Sequence, residues 1–269
     1  ALRPGTTEQC STGTAEELPI TKNTQPCLYC VDLAAAKALE EAGVTPDYVA
    51  GFSLGEIAAL SFAGVFSEEQ GFDFVCKRAE AMQKAGEENP GAMAAVLKLK
   101  NEQVEELCAG FEKVWPVNYN CPGQLVCAGE KSQIEAFCGK VAEAGGKAVP
   151  LAVSGGFHSP FMESASQTLC EVLEPMELST PRVPVYANYT AQPYDGSAKE
   201  LLTQQVKNPV RWQETVERLV ELGVDTFIEC GPGKTLCGLI RKTAKGVKTL
   251  NVQDGETLQA ALEAVKAQG

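Results

Sequence analysis

Ser53 stands in a short motif whose residue types and spacing could carry nucleophilic chemistry. The motif, GFSLG at 51–55, has the form G-x-S-x-G and lies between an apolar run and a helical pattern. This is the context of a nucleophile elbow, a turn so sharp that side chains at Gly51 and Gly55 are expected to strike neighbouring backbone. Ser53 is the candidate nucleophile, and the Leu54 main-chain N–H is the candidate oxyanion donor. A strand–turn–helix link with a capping serine is the alternative.

His158 is the one histidine of the sequence. It lies in a glycine-rich loop before a predicted helix, and this loop is expected to return to the sheet edge where Ser53 emerges. If an imidazole activates Ser53, His158 must be the base. We expect a dyad, with the imidazole oriented by a backbone carbonyl, because the acids between the two residues fall mostly in a separate predicted subdomain. A structural histidine is the alternative.

Arg78 lies among apolar neighbours on a helix predicted from residue 68 to about residue 86. A planar guanidinium in an apolar cleft suits bidentate pairing with a carboxylate. The residue therefore predicts an acyl substrate that carries a free carboxylate. An arginine on the protein surface is the alternative.

The composition limits the class of protein. The 269 residues suffice for one large domain or two, and 44% hydrophobic with 22% charged residues is typical of a globular chain. A net charge of −12 argues against a general binder of nucleic acid or of anionic membranes. No apolar stretch is long enough to span a bilayer, and the first residues lack the apolar segment of a signal peptide. We expect a monomeric, cytoplasmic protein.

The eleven cysteines are scattered, which predicts reduced thiols rather than a disulfide framework. Cys27 and Cys30 form a C-x-x-C pair, but no second pair follows at zinc spacing, so small buried side chains are favoured over a metal or redox site. The sequence GPGKT at 231–235 resembles the end of a Walker A loop, but Ile228 stands where that loop needs a glycine. No metal, nucleotide or other cofactor is therefore expected.

Alternating strand and helix patterns predict an α/β fold. Over residues 91–154 their order is βαββαβ, which is typical of a ferredoxin-like subdomain with an antiparallel sheet. The patterns over 1–90 and 155–269 predict a mostly parallel sheet covered on both faces. We therefore expect a large subdomain, 1–90 and 155–269, into which a small subdomain, 91–154, is inserted.

Three local expectations bear on the first residues and on one strand. Residues 1–25 show little periodicity, so no regular element is predicted there. Residues 24–26 open a helix predicted over 27–41 and ended by Gly43. A strand is predicted over 183–188.

A series of ordered motifs runs over nearly the whole chain: TQP at 24–26, GFSLGE at 51–56, KRAEAMQ at 77–83, GAMAAV at 91–96, NYNCPGQ at 118–124, GGFHS at 155–159, NPVRW at 208–212 and ECGPGKTL at 229–236. In these motifs the sequence resembles malonyl-CoA:acyl carrier protein transacylases and the acyltransferase domains of polyketide and fatty acid synthases. The resemblance implies an α/β-hydrolase-like parallel-sheet core with an inserted ferredoxin-like subdomain. It also implies ping-pong transfer of a malonyl group from malonyl-CoA to the phosphopantetheine thiol of acyl carrier protein, through a malonyl-serine.

The resemblance also implies roles for individual residues. Arg78 would hold the malonyl carboxylate, and the main-chain carbonyl of Gln205 would orient the catalytic histidine. Phe157 is similar to the malonyl-selecting form of its motif, which leaves little space for an α-methyl group. Gln25 and Asn120 match positions that line the cleft of the family.

Two departures from the family pattern stand out. Phe52 replaces the histidine of the common G-H-S-L-G motif, and its ring is expected to point away from the chemistry. The family also begins with a strand and a glycine–glutamine turn that supplies a second oxyanion donor, and the sequence is expected to lack this segment. A serine esterase or thioesterase and a non-catalytic remnant that binds carrier protein are the alternative functions.

Overall fold

The structure is a computed structural model that describes residues 3–153 and 155–267. The helices are α1 (Thr6–Thr12), α2 (Thr21–Glu41), α3 (Leu54–Phe62), α4 (Glu68–Glu88), α5 (Asn101–Ala109), α6 (Lys131–Glu143), α7 (Glu163–Leu173), α8 (Ala198–Gln205), α9 (Trp212–Glu221), α10 (Thr235–Thr243) and α11 (Gly255–Lys266). A 3-10 turn at Pro160–Met162 precedes α7. The strands are β1 (Val49–Ala50), β2 (Ala92–Leu97), β3 (Val114–Cys121), β4 (Gln124–Gly129), β5 (Lys147–Pro150), β6 (Val185–Tyr186), β7 (Thr226–Cys230) and β8 (Lys248–Val252).

Parallel pairing occurs outside residues 91–153, as predicted. β1 pairs with β6, with Val49 opposite Val185, and β7 pairs with β8, with Thr226 opposite Lys248. The expectation of one continuous sheet is wrong for the described residues, where these strands form two separate two-stranded sheets. Among the strands of the described ranges, β1 pairs only with β6, and β7 pairs only with β8.

The elements between residues 91 and 153 follow the predicted order and form a four-stranded sheet. Its strand order is β3-β4-β2-β5, and every neighbouring pair is antiparallel. Since successive side chains of a strand point to opposite faces, Ala94 packs with the cluster that contains Phe137 of α6, whereas Met93 packs with Val117 on the other face. Phe157 packs against this second face, which therefore lies beside the glycine-rich loop.

Helix α3 lies in the main hydrophobic core. Ile57 and Leu60 are fully buried, and α3 packs with residues of α2, α4 and α7 in one apolar cluster. A helix that is apolar on most of its faces must be buried on most of them. The first residue of α3 therefore has a fixed position relative to the neighbouring helices.

Three local expectations were wrong in their extent. A helix, α1, lies within residues 1–25, and α2 begins at Thr21 with Pro26 inside it. The turn before Pro26 is held because the main-chain N–H groups of Asn23 and Thr24 both donate to the Ile20 carbonyl. The strand predicted over 183–188 is limited to β6.

The end of α2 confirms its predicted stop. The helix ends at Glu41, and Gly43 follows with a φ of 90°. This left-handed backbone conformation favours glycine after a helix.

A side chain at Gly51 has no room in the turn before α3. An added Cβ would lie 1.9 Å from the main-chain carbon of Gly55, as expected from the sequence. The same expectation for Gly55 is wrong, because a Cβ there would meet no heavy atom of another described segment within 4 Å. The turn therefore needs one glycine for steric reasons, at Gly51.

We predict opposite effects of alanine at these two glycines. Gly51→Ala should lower the free energy of unfolding by about 3 kcal/mol or more, because the clash is with backbone that cannot move aside. Gly55→Ala should leave stability unchanged or raise it by up to about 1 kcal/mol, since alanine favours the helix. Chemical denaturation of both variants measures this difference, and equal destabilisation would contradict the steric argument.

Candidate active site

The turn between β1 and α3 holds Ser53 in a strained backbone conformation. Its φ is 52° and its ψ is −106°, a combination that persists only when surrounding contacts enforce it. Asn188 supplies two of these contacts: its Oδ1 accepts from the Ser53 main-chain N–H at 2.7 Å, and its Nδ2 donates to the Gly51 carbonyl at 2.6 Å. Asn188 thus bridges the two ends of the turn.

Ser53 and His158 are in direct contact. Ser53 Oγ lies 2.8 Å from His158 Nε2, and His158 Nδ1 lies 2.9 Å from the Gln205 carbonyl oxygen. Because a carbonyl only accepts, Nδ1 must carry the ring proton of the neutral imidazole, which leaves Nε2 free to accept from the Ser53 hydroxyl. The arrangement can remove the proton of Ser53.

Arg78 is buried, with 1% of its surface exposed, so the alternative of a surface arginine is wrong. Its Nη1 donates to Gln25 Oε1 at 2.6 Å, and its Nη2 donates to Gln205 Oε1 at 3.0 Å and to Ser53 Oγ at 3.2 Å. Its Nε has no hydrogen-bond partner in the described part of the chain. A buried donor without a partner, close to Ser53, is suited to an acceptor that arrives with a bound molecule.

Burial and the charge of Arg78 control the protonation of His158. Burial and, to a smaller extent, the Arg78 charge together lower the pKa of His158 to about 4, and the hydrogen bond to Gln205 opposes both effects. Burial also lowers the pKa of Arg78 to about 10, which leaves the guanidinium charged at neutral pH. The site therefore combines a neutral imidazole with a cation.

Leu54 and Phe157 each lie next to one of these residues in the chain. Leu54 is the first residue of α3, so its main-chain N–H has no acceptor within the helix. Phe157 is half-buried, and its ring would contact any side chain placed on Gly155. Phe52 packs edge-on against Trp212, with ring centroids 5.7 Å apart.

Asn120 is the predicted site residue that the structure does not join to the others. It is buried, and its Oδ1 has no hydrogen-bond partner among the described residues. Within the described ranges, no hydrogen bond connects Asn120 to the group around Ser53. The structure brings together Ser53, His158, Arg78, Gln25 and Gln205.

Sequence reasoning missed three contributors to this group. Glu56 and Tyr194 lie behind the site, and Asn188 lies beneath the turn. Glu56 belongs to the GFSLGE motif, which was a signal that it accompanies Ser53. Nothing in the sequence indicated Asn188 or Tyr194.

The described residues contain no group of three or more histidine, cysteine, aspartate or glutamate side chains that could hold a metal ion. Cys27 and Cys30 both lie within α2, and burial raises the pKa of each thiol to about 11. No helix in the described ranges is both long and apolar enough to cross a membrane.

The model of the family described as "Acyl transferase domain" matches residues 10–261. The chain belongs to this acyl transferase family. It is 40% identical over 261 residues to the malonyl CoA-acyl carrier protein transacylase of Bacillus subtilis, covering 94% of this chain and 82% of that relative. It is 39% identical over 247 residues to the protein of the same name from Synechocystis, covering 91% of this chain and 82% of that protein.

Solved structures agree with this membership. The malonyl CoA-acyl carrier protein transacylase of Clostridium perfringens is 36% identical, with a TM-score of 0.94 over 98% of this acyltransferase and 85% of that chain. A structure described as a type II PKS acyl-carrier protein in complex with its malonyl-transacylase is 38% identical, with a TM-score of 0.91 over 94% of this chain and 84% of that one.

We predict that the one histidine of this acyltransferase titrates far below the usual range. Its imidazole C–H resonance should show a midpoint near pH 4 instead of 6.5, because burial and Arg78 disfavour the imidazolium. Arg78→Met should raise the midpoint by removing the positive charge. Because the pKa of His158 is lower in the folded than in the unfolded protein, the buried neutral imidazole contributes to the free energy of unfolding above pH 6.5. This contribution is lost as the pH falls toward 4.

Proton NMR of both proteins measures this, with circular dichroism as the control for folding at each pH. A midpoint near 6.5 in the folded wild type would show that the imidazole is not desolvated as the structure implies.

Proposed function

We propose that this acyltransferase moves a malonyl group from malonyl-CoA to the phosphopantetheine thiol of acyl carrier protein. The observation that carries the proposal is the position of Arg78, whose Nη2 lies 3.2 Å from Ser53 Oγ and whose Nε has no hydrogen-bond partner among residues 3–153 and 155–267. In a malonyl thioester the carboxylate is one methylene away from the reacting carbonyl, so one guanidinium beside the nucleophile can reach it. The names of the relatives described above point to the same substrates.

In the first half of the proposed reaction, Ser53 Oγ attacks the thioester carbonyl of malonyl-CoA while His158 Nε2 takes the hydroxyl proton. The Leu54 main-chain N–H donates to the oxyanion that forms. When the tetrahedral intermediate collapses, the C–S bond breaks and His158 returns the proton to the sulfur of coenzyme A. A malonyl ester on Ser53 remains, with its carboxylate on the Arg78 guanidinium.

In the second half, the phosphopantetheine thiol attacks the ester carbonyl and His158 takes the thiol proton. The C–O bond to Ser53 then breaks, and His158 returns the proton to Ser53 Oγ. The Gln205 carbonyl keeps the imidazole in the same tautomer through both halves, because it can only accept from Nδ1. The proposed dyad therefore needs no carboxylate to orient the imidazole.

Two further residues are assigned to the walls of the cleft. Phe157 follows the glycine-rich loop directly before His158, and we place it where it limits the space for an α-substituent on the acyl group. We assign Asn120 to the cleft from its family position and from its Oδ1, which has no hydrogen-bond partner in the part of the chain that the structure describes.

We also infer the architecture in which the site is set. An α/β-hydrolase-like core over 1–90 and 155–269 would carry the site, and residues 91–154 would form an inserted ferredoxin-like subdomain. The antiparallel order β3-β4-β2-β5, with a hydrophobic cluster of its own, supports the second unit. The parallel pairs β1–β6 and β7–β8 support the first.

We predict that the chain forms a malonyl adduct on Ser53 when it is mixed briefly with malonyl-CoA. Ser53→Ala should abolish the adduct, whereas Ser164→Ala, which changes a half-buried serine of α7, should not. Arg78→Met should slow adduct formation from malonyl-CoA by about 10²-fold, because hydrogen bonds to a charged group contribute up to about 3 kcal/mol. The rate with acetyl-CoA, which has no carboxylate, should change much less.

Intact-mass spectrometry measures the adduct, and adding the phosphopantetheine form of acyl carrier protein measures its transfer. Transfer faster than loss to water supports a transacylase, whereas loss to water at the same rate with and without carrier protein supports the esterase alternative. An adduct that survives Ser53→Ala would overturn the mechanism.

A further inference from the structure

The buried guanidinium of Arg78 touches no carboxylate in the described part of the chain. Its hydrogen-bond acceptors are two amide oxygens and one hydroxyl, from Gln25, Gln205 and Ser53. A buried charge without a counter-charge is costly, so its stability in the folded protein requires compensation from elsewhere.

The nearest compensating group lies on the far side of the Gln205 side chain. Gln205 Oε1 accepts from Arg78 Nη2 at 3.0 Å, and Gln205 Nε2 donates to Glu56 Oε2 at 2.6 Å. The amide therefore lies between the cation and the carboxylate, with its oxygen toward the cation and its nitrogen toward the anion. Turning the amide over would break both contacts, so this orientation is fixed.

Glu56 is held as an acceptor. It is 1% exposed, and it accepts from the Asn188 main-chain N–H at 3.2 Å and from the Tyr194 hydroxyl as well as from Gln205. Three donors directed at one carboxyl group favour its ionised form. Burial raises the pKa of Glu56 to about 7, and the Arg78 charge acts against that rise. In turn, the Glu56 charge opposes the fall in the pKa of Arg78.

We propose that Glu56 is a positioning residue that balances the charge of Arg78 across the Gln205 amide without occupying any of the guanidinium N–H donors that the substrate carboxylate needs. A carboxylate in direct contact with Arg78 would occupy the donors that the substrate needs. One amide further away, it lowers the cost of the buried cation without competing for those donors. The inference deepens the proposed function and rests on it where malonate is concerned.

Charge balancing by Glu56 affects the binding of a carboxylate in a way that a purely structural Glu56 would not. With Glu56 ionised, the pair is neutral when the site is empty and carries one net negative charge when a substrate carboxylate binds. With glutamine at this position, the empty site carries an uncompensated positive charge, and a bound carboxylate neutralises it. Removing the Glu56 charge should therefore tighten the binding of a carboxylate.

The experiment compares wild type with Glu56→Gln, Tyr194→Phe and Arg78→Met at pH 8, above the pKa of about 7 of Glu56. The probe is free malonate, measured by calorimetry. We expect Glu56→Gln to bind malonate about tenfold more tightly or better, as expected for the loss of a like charge within several ångströms. Tyr194→Phe removes a hydrogen bond that favours the ionised form of Glu56, so only part of this carboxyl should be neutralised at pH 8, and malonate binding should tighten less than in Glu56→Gln. Arg78→Met should abolish malonate binding.

Steady-state rates provide a second readout. The KM of Glu56→Gln for malonyl-CoA should fall without a rise in kcat, because the substrate carboxylate stays on Arg78 in both the ground state and the transition state. Malonate binding that is unchanged or weaker in Glu56→Gln, or equally tightened in Tyr194→Phe, would overturn the proposal.

A ligand-free comparison separates this inference from the proposed function. Thermal unfolding of Glu56→Gln, Arg78→Met and the double variant should show that the double variant melts higher than Glu56→Gln alone, since no buried charge is left without a counter-charge. If Glu56→Gln does not fold, recovery of folded protein in the double variant would equally show that the charges of Glu56 and Arg78 compensate each other. Strictly additive losses would contradict the charge pairing whatever the substrate is. Failure of the wild type to bind malonate, with this coupling intact, would instead contradict the proposed function.

Discussion

A charged guanidinium held away from water is the constraint around which the site is arranged. Arg78 reaches from α4, and its partners come from α2, from the turn before α3 and from the end of α8. In a medium of low dielectric, each of these polar contacts is strong, and each polar group left without a partner costs free energy. The helices therefore have to converge on one point, which is also the point where Ser53 emerges.

Gln205 connects the separate parts of the site to one another. Its main-chain carbonyl accepts from His158 Nδ1, and its side chain contacts Arg78, Glu56 and the Ser53 carbonyl. A shift of α8 would therefore displace His158, Arg78 and the strained turn at Ser53 together. Ser53 and His158 both have positive φ values, of 52° and 59°, and strain of this kind persists only where neighbouring contacts determine the backbone.

The antiparallel sheet is joined to the site through its main chain as well as through apolar packing. The Tyr119 N–H donates to the Val210 carbonyl at 3.0 Å, and the Val210 N–H donates to the Val117 carbonyl at 2.8 Å. On the same side of the sheet, Phe157 packs with the cluster that contains Met93. The sheet is therefore attached both to the segment after α8 and to the loop that carries His158.

The sequence alone determined the local features, namely the turn around Ser53, the order of strands and helices, and the one residue that could serve as base. These follow from spacing within a few residues, where periodicity and glycine placement act directly. Only the tertiary structure decided that Arg78 is buried, that Asn188 bridges the elbow and that Glu56 lies one amide away from the cation. Contacts between residues more than a hundred positions apart, such as Glu56 and Gln205, leave no periodic trace, because they depend on how helices pack rather than on how each one forms.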